Sequence, residues 1–373
     1  MLLDSAAKLM QRVATPNYIR RLDRERTYPY ELYQAWVEAG FFALPHAEEY
    51  GGLGGSVLDL VLIAEMISRP SGDFAMAFGG PTFCSLNLAR KGSPEQKEHW
   101  LPKLISGEIR MSISISEPEA GSDVGAMRTS ARRDGDHFII NGQKIWATAA
   151  GADNNVLNMY VRTDLEAHYR QGMSLFLIDA NTPGIEIRKL DMLGRRSVGT
   201  YEIFLTDVQV PADRLVGGEN QGWECILSGL QSERVIAAAC DCGTARGVVD
   251  MAVAYVKERK QFGQPIGTFQ SVAHALANIE AEVEAAWALT LKAASKLTDG
   301  VDALKEITMA KLLASEAYVK ATNVGMQAMG GYGYNMEFDM QRHFRDARAA
   351  TIAGGSSEMQ RNLIAGMMGL KAR

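Results

Sequence analysis

Residues 111–123 read MSISISEPEAGSD, and this stretch decides how the rest of the 373-residue chain is interpreted. Apolar and polar residues alternate from Met111 to Ser116, which predicts a β-strand with one face in a core. Turn-forming residues separate this segment from other strand-like segments that follow before residue 215: His137–Ile140, Ser174–Ile178 and Glu202–Leu205. The middle third of the chain therefore predicts a compact antiparallel barrel or sandwich.

The segments on either side of this β region follow a helical period. Residues 1–110 predict short amphipathic helices, one of which opens at Ser93 with Pro94 at its first position and Gln96 three residues after the cap. Residues 216–373 predict a bundle of long helices. We therefore expect three domains, 1–110, 111–215 and 216–373, and this order is not the alternating βαβ pattern of a nicotinamide-binding fold.

Composition excludes several classes of protein. The net charge of −5 and the lack of a dense Lys/Arg block exclude a protein that holds nucleic acid through phosphate contacts. No apolar run approaches the roughly 20 residues that span a bilayer, and residues 1–10 contain Asp4 and Lys8 instead of a signal core, so we expect no membrane partner and a cytoplasmic location. The four cysteines lack zinc spacing and the histidines are scattered, so we predict small buried thiols and no metal site.

Five short blocks occur in a fixed order along the chain: Ser116–Asp123 (SEPEAGSD), Asn141–Thr148 (NGQKIWAT), Arg259–Gly263 (RKQFG), Gln327–Gly333 (QAMGGYG) and Phe344–Arg348 (FRDAR). In this order they resemble the blocks of the acyl-CoA dehydrogenase family, and they cover essentially the whole chain. The resemblance implies an α+β fold with an N-terminal helical domain, a middle antiparallel β-barrel and a C-terminal four-helix bundle. It also implies bound FAD and an acyl-CoA thioester substrate.

The resemblance assigns flavin contacts to positions in and near the first two blocks. A flavin needs hydrogen-bonding groups beside its ring, an aromatic or apolar wall, and partners for its pyrophosphate. The matched positions supply these: Ile115, Ser116 and Thr148 on the pyrimidine side and N5, Trp146 as the wall, Gly121 for close backbone approach, and Ser122 beside both the pyrophosphate and the thioester.

A second set of matched positions implies contacts across a subunit boundary. In the family these positions reach the FAD of a neighbouring subunit: Arg259 at the pyrophosphate, Phe262 and Gln270 near the adenosine half, and Gln327 with Gly331. Ser356 and Glu358 are further implied FAD contacts, Glu358 on the adenosine side. The resemblance therefore implies a homo-oligomer, usually a tetramer built as two dimers.

The position at which most of the family carries its catalytic glutamate is Gly354 in this chain. Glycine can offer only its backbone N–H, which the family directs at the thioester carbonyl to stabilise the developing enolate. Members that resemble isovaleryl-CoA and long-chain acyl-CoA dehydrogenases carry the base on another helix, just before an arginine. Glu233 and Arg234 occupy those two positions here. A lone helical glutamate is usually a solvated surface group, but the coincidence with Gly354 makes Glu233 the expected base.

The resemblance implies that Glu233 removes the α-proton while the β-hydride passes to flavin N5. Ser122, Arg234 and Gly354 are then the expected substrate-binding residues. Desolvation by the acyl chain and the flavin is expected to raise the pKa of Glu233 toward neutrality. Glu358, one helical turn beyond Gly354, is the rival carboxylate. An electron-transfer flavoprotein is the expected redox partner.

Other functions remain open at the level of sequence. Residues 354–360 and 242–245 also resemble crotonobetainyl-CoA reductases, which run the chemistry toward the saturated thioester. A non-redox, desulfinase-like relative is disfavoured by Glu233, and a non-catalytic acyl-CoA-binding subunit is disfavoured by the intact flavin blocks. An oxygen-using flavin oxidase of the nitroalkane type would need an aspartate base. The pattern determines neither the length nor the branching of the acyl chain.

Overall fold

A computed structural model describes residues 2–370, in which a β-sheet region lies between two helical regions along the chain. The N-terminal region contains six helices: α1 (Leu2–Val13), α2 (Pro16–Glu25), α3 (Tyr30–Glu38), α4 (Val57–Ser68), α5 (Gly72–Lys91) and α6 (Pro94–Ile105). The predicted start of α6 is confirmed, because Ser93 Oγ accepts the Gln96 N–H at 3.2 Å and the Gln96 side chain accepts the Ser93 N–H at 3.1 Å. This reciprocal pair satisfies two of the free N–H groups at the helix start.

The core of the N-terminal region is aromatic. The Trp36 ring meets Phe74 and Phe78 edge-on at centroid distances of 6.1 and 6.0 Å, and Phe42 lies 5.4 Å from Phe78. All four side chains are buried. Rings of this size contribute most of the apolar area that a small helical layer can bury, so this cluster holds α3 against α5.

The middle region contains eight strands and a short helix: β1 (Arg110–Ser114), β2 (Ser130–Asp134), β3 (His137–Thr148), β4 (Asn155–Arg162), α7 (Tyr169–Gly172), β5 (Met173–Asp179), β6 (Ile185–Lys189), β7 (Thr200–Pro211) and β8 (Leu215–Val216). The strand order is β6-β7-β3-β2-β4-β5-β8, and β1 pairs with β4. The four strand-like segments predicted from alternation fall within or overlap β1, β3, β5 and β7, so these strands are confirmed.

The predicted antiparallel β-barrel is wrong, because the sheet is mixed and is not a closed barrel. Strand β1 runs parallel to β4, with Arg110 opposite Asn155 and Ser114 opposite Met159. No hydrogen-bonded register joins the terminal strands β6 and β8 in residues 2–370. Alternation identifies a strand from its own residues, but the neighbour and direction of β1 depend on a partner more than 40 residues away along the chain, which alternation does not encode.

The C-terminal region contains three long helices, a small hairpin and three shorter helices: α8 (Gly222–Glu258), β9 (Lys260–Gln261), β10 (Gln264–Pro265), α9 (Gln270–Thr298), α10 (Leu304–Met329), α11 (Gly331–Tyr334), α12 (Met340–Ala347) and α13 (Ser357–Met367). The long helices predicted from the helical period correspond to α8, α9 and α10 and are confirmed. These three helices pack against one another, and α8 also packs against α4 and α5.

Helix α8 approaches α4 so closely that the contact requires glycine. A methyl group placed on Gly243 would overlap the backbone oxygen of Glu65, and one placed on Gly247 would overlap the backbone oxygen of Arg69. The two glycines are four residues apart, and therefore lie on the same face of α8. This face brings the backbones of the two helical regions into direct contact.

In residues 2–370, no helix combines the length and the apolar character that crossing a membrane would require. The four cysteines, Cys84, Cys225, Cys240 and Cys242, are buried free thiols, as predicted.

We predict that Gly243→Ala lowers the thermal unfolding midpoint, because the added methyl must push α8 away from α4 at a cost of about 1–3 kcal/mol. Gly366→Ala is the matched control, since Gly366 lies on the exposed part of α13 and a Cβ there would have no described atom within 4 Å. The control should be neutral or slightly stabilising. Equal midpoints for the two variants, measured by circular dichroism, would contradict the close contact.

Candidate active site

Glu233 lies near the start of α8, on a part of the helix that is tied to α5 by hydrogen bonds. Arg90 of α5 donates to the Ser228 carbonyl at 2.9 Å and to Ser232 Oγ at 2.6 Å. Ser228 Oγ donates in turn to the Asn87 side chain at 2.9 Å. These bonds fix the turn that carries Glu233, whose side chain is half-buried.

The structure brings Gly354 to Glu233. A Cβ atom placed on Gly354 would lie 3.7 Å from Glu233 Oε1. Gly354 has φ +65° and Gly355 has φ +91°, a left-handed conformation that glycine adopts without strain. Arg234 lies on the same side, since its Nη2 atom would be 3.4 Å from a Cβ placed on Gly355. Three of the predicted site residues, on two distant segments, therefore meet at one place.

Lys311 on α10 completes this group, and sequence reasoning missed it. Its Nζ donates to the backbone oxygens of Ala350 and Gly355 at 3.0 and 2.8 Å, and Gln360 Nε2 donates to the same Gly355 oxygen at 3.0 Å. Lys311 and Gln360 are both buried. The one signal in the sequence was a lysine inside the apolar run Ala310–Ala314, which resembles an ordinary helical surface position.

The electrostatic environment of Glu233 is balanced between burial and positive charge. Burial raises the pKa of Glu233, while the charges of Arg234 and Lys311 lower it, and the net result is a raised pKa. Among residues 2–370, no group donates a hydrogen bond to its carboxylate and none forms an ion pair with it. Burial, with a contribution from the Glu233 charge, also raises the pKa of the nearby Cys84 thiol. Such a carboxylate can accept a proton from a substrate that displaces water.

Trp146 lies on a distorted part of β3. The register between β3 and β7 shifts between Lys144 and Ala147, and Trp146 has φ +63°, which is uncommon for an aromatic residue. Its side chain is 55% exposed. The bulge therefore turns a large aromatic ring out of the sheet and leaves it uncovered by the chain, as a wall for a flat ligand would require. Thr148, two residues later, is half-buried.

The segment after β1 is fastened beside Trp146 by a buried ion pair. Ser116 O accepts the Ile145 N–H at 2.9 Å, and Lys144 Nζ donates to Ile115 O at 3.1 Å and to Glu117 Oε1 at 2.8 Å. Burial lowers the pKa of Lys144 to about 8, although Glu117 opposes this change. The ion pair therefore places Ile115 and Ser116 next to the bulge in β3.

Gly121 and Ser122 lie farther along the same loop, and both are exposed. A Cβ placed on Gly121 would have no atom within 4 Å among the described residues. The backbone here is open to a ligand that approaches closely.

Arg259, Gln327 and Gly331 line one cavity of about 430 Å³ on the C-terminal region. The Arg259 guanidinium lies 5.6 Å from the centre of the Tyr332 ring. Neither Trp146 nor Glu233 lines this cavity, so Arg259, Gln327 and Gly331 form a group that is separate from both of them within one chain.

The remaining predicted FAD contacts lie on surfaces of the same helical region. Phe262, in the β9–β10 hairpin, is 94% exposed and its ring lies 6.0 Å from that of Phe269, directly before the exposed Gln270. Ser356 caps α13, since its Oγ accepts the Met359 N–H. Glu358 is exposed in the first turn of that helix, where hydrogen bonds with its own backbone N–H and with Ser356 lower its pKa. This environment makes Glu358 a weaker base than Glu233.

The residues of the bulge in β3 and of the loop after β1 fit a flavin. An exposed aromatic ring, open backbone at Gly121 and hydroxyl groups at Ser116, Ser122 and Thr148 are the donor set and the wall that such a ring needs. No group of three or more His, Cys, Asp or Glu side chains in residues 2–370 is arranged to hold a metal ion.

Three family models match consecutive parts of the chain: the N-terminal domain of acyl-CoA dehydrogenase over residues 1–108, the middle domain over 112–208 and the C-terminal domain over 220–369. The chain belongs to the acyl-CoA dehydrogenase family. Members of this family are flavin-dependent oxidoreductases that act on CH–CH bonds, and this chain is one of them.

The relatives of this chain include proteins named as dehydrogenases and proteins named as reductases. The chain is 35% identical over 369 residues to mitochondrial isovaleryl-CoA dehydrogenase of Pongo abelii, covering 97% of this chain and 86% of the relative. It is 32% identical over 370 residues to the caffeyl-CoA reductase-Etf complex subunit CarC of Acetobacterium woodii, covering 99% and 97%. The solved structure of the glutaryl-coenzyme A dehydrogenase glutaryl-CoA complex is similar with a TM-score of 0.95 at 34% identity, covering 100% and 95%.

We predict that Glu117→Gln destabilises the protein by about 3 kcal/mol, because it leaves the buried Lys144 ammonium without its charge partner. The double variant Glu117→Gln/Lys144→Met should recover much of this loss. Glu219→Gln is the control, since it removes a partner from an exposed ion pair with Arg133 on the same sheet. The check is thermal unfolding of all three variants. A similar loss in the control and in Glu117→Gln would contradict the role of burial.

Proposed function

We propose that this protein is an FAD-dependent acyl-CoA dehydrogenase in which Glu233 removes the α-proton of an acyl-CoA thioester. The observation that carries the proposal is the distance of 3.7 Å between Glu233 Oε1 and the position of a Cβ on Gly354. A glutamate at position 354 and a glutamate at position 233 would therefore place their carboxylates in the same space. Glycine at position 354 leaves that space open for Glu233.

Each of the proposed substrate-binding residues has a task in this reaction. The Gly354 N–H donates to the thioester carbonyl and so stabilises the enolate that develops as the proton leaves. Arg234 and Ser122 hold the thioester ligand. A half-buried position lets the acyl chain displace the remaining water from Glu233, which strengthens it as a base.

We infer that FAD lies against Trp146, with Ile115, Ser116, Gly121, Ser122 and Thr148 around its ring and pyrophosphate. FAD supplies the acceptor for the β-hydride at N5. The open backbone at Gly121 and the 55% exposed indole of Trp146 support this placement.

A homo-oligomer, with four subunits as the proposed number, completes the cofactor site. Arg259, Phe262, Gln270, Gln327 and Gly331 contact the FAD of a neighbouring subunit, and Ser356 and Glu358 add further contacts. The exposure of Phe262 and the cavity that Arg259 shares with Gln327 support a ligand that comes from outside the chain. An electron-transfer flavoprotein is the proposed redox partner, supported by the similarity to a subunit of an Etf complex.

The reductase direction is the second candidate. It is favoured by the similarity to a caffeyl-CoA reductase subunit along 99% of this chain. In that direction Glu233 returns a proton to the α-carbon, for which a carboxyl with a raised pKa is equally suited.

The function is tested by the visible spectrum of the purified protein under anaerobic conditions. Addition of saturated acyl-CoAs, one at a time, should bleach a yellow flavin band with one class of chain and name the substrate class. If only dithionite bleaches the band, and an enoyl-CoA then restores it, the reductase direction is correct. A protein that binds no FAD would overturn the proposal.

We predict that Glu233→Gln slows flavin bleaching by about 10³-fold, because the amide cannot accept the proton. The double variant Glu233→Gln/Gly354→Glu should recover part of the rate, since the new carboxylate would enter the same space at the cost of strain at φ +65°. Glu358→Gln is the control and should retain most of the rate. Stopped-flow absorbance under anaerobic conditions measures all three, and full activity of Glu233→Gln would exclude it as the base.

We also predict the position of the acid limb in the pH profile of kcat/KM for dehydrogenation. Proton abstraction needs the carboxylate form, so activity falls as pH decreases through the pKa of the base. Because burial raises the pKa of Glu233, this fall should begin at a higher pH than an exposed glutamate would give. Since the pKa of Glu358 is lowered, a limb below the ordinary glutamate range would favour Glu358 instead.

A further inference from the structure

Lys311 is a buried cation in an apolar helix segment. Only 2% of its surface is exposed, and it lies on the face of α10 that is directed at α8 and at residues 348–355. Burial of an ammonium group costs free energy unless hydrogen bonds replace its water. Here two backbone oxygens do so, those of Ala350 and Gly355 at 3.0 and 2.8 Å.

Both of these oxygens belong to the segment that carries Gly354. Gly354 and Gly355 both have positive φ, at +65° and +91°, and two consecutive glycines have more backbone freedom than any other pair. The segment therefore needs external contacts to hold one conformation. Lys311 binds it at both ends, and Gln360 adds a third bond at Gly355.

Lys311 also lies beside the carboxylate of Glu233. A single point, the Cβ position on Gly354, is 3.7 Å from Glu233 Oε1 and 4.0 Å from Lys311 Cε. The other charged group that acts on Glu233 is Arg234 on the same helix. Cys84 on α5 and Tyr160 on β4 are neighbouring groups whose pKa values are raised by burial and, to a smaller extent, by the charge of Glu233. Of these groups, Lys311 and Arg234 are the two cations.

The surroundings of Lys311 contain charges of both signs. Burial lowers the pKa of Lys311, whereas the charge of Asp241 on α8 raises it. Smaller contributions come from Arg234 and Arg195, which lower this pKa, and from Glu233, which raises it. Asp241 is itself buried, and its own pKa is raised to about 6 by burial against the charges of Arg195 and Lys311. Above that pH, Asp241 therefore supports the positive charge of Lys311.

We propose that Lys311 is a positioning residue for the reaction, which fixes the Gly354 peptide against Glu233 and keeps a positive charge beside that carboxylate. The inference rests on the proposed function of Glu233 as the base. Lys311 does not itself touch the reacting atoms. Its hydrogen bonds aim the Gly354 N–H, and its charge limits how far burial can raise the proton affinity of Glu233.

The experiment compares three substitutions that separate the hydrogen bonds from the charge. Lys311→Arg keeps both, Lys311→Gln keeps a donor without charge, and Lys311→Met keeps neither. Lys305→Met is the matched control, because Lys305 is an exposed lysine in the first turn of the same helix. If Lys311→Met fails to fold, the Gln variant still tests the charge.

The first readout is the titration of Glu233 in the FAD-loaded protein without substrate, followed by NMR of [13C]carboxyl-labelled glutamate and assigned from its loss in Glu233→Gln. We expect Lys311→Gln and Lys311→Met to raise the midpoint by about one pH unit, and the Arg and Lys305 variants to leave it in place. The acid limb of kcat/KM should move by the same amount.

The second readout is the rate of flavin bleaching at a pH above this midpoint, where the base is ionised in every variant. Lys311→Met should lose about tenfold or more in kcat with a smaller change in KM, and Lys311→Gln should lose less because it retains a donor. Unchanged midpoints with only a lower unfolding temperature would show that Lys311 is merely structural and would overturn the inference. Full activity of Glu233→Gln overturns the proposed function instead, whatever the midpoints show.

Discussion

The backbone contact between α8 and α4 is the constraint on which the rest of the structure depends. Gly243 and Gly247 remove the two side chains that would hold the helices apart, so α8 can lie directly on the end of α4. A contact between backbones allows little sliding or rotation, because neither surface has flexible side chains that could adapt. The long helix α8 is thereby fixed relative to the N-terminal helices, and its other faces are available to α5, α9 and α10.

The position of the candidate base follows from that constraint. Glu233 lies about three turns before Gly243 on the same rigid helix, so the contact with α4 also sets where its carboxylate points. The hydrogen bonds of Arg90 then secure the first turns of α8 against α5. On the opposite side, Lys311 brings the segment around Gly354 to the same place. Two regions that are more than a hundred residues apart are in this way held within one side-chain length.

The environment of Glu233 is a compromise that suits proton transfer. Full burial without positive charge would keep the carboxyl protonated, whereas a direct ion pair would hold it as an unreactive carboxylate. The protein uses neither extreme. The side chain is half-buried, and two cations lie near it without forming an ion pair in the described residues. A different solution serves Lys144, whose ammonium is fully buried and forms a direct ion pair with Glu117. The pair of Lys144 and Glu117 maintains the structure, so its two charged groups are in direct contact.

The sequence by itself predicted the strands β1, β3, β5 and β7, the long helices α8, α9 and α10 and the cap at Ser93. Through the resemblance to the family it also pointed to Glu233 as the residue that replaces a glutamate at position 354. These features are visible in the sequence because period and capping depend on neighbouring residues, and family blocks keep their order along the chain. Only the tertiary structure decided that β1 lies parallel to β4, that Glu233 faces Gly354, and that Lys311 binds the segment that carries Gly354. Contacts of this kind depend on how distant elements pack. The sequence around Lys311, a lysine in an apolar run, would be the same whether its ammonium group reached water or a buried backbone oxygen.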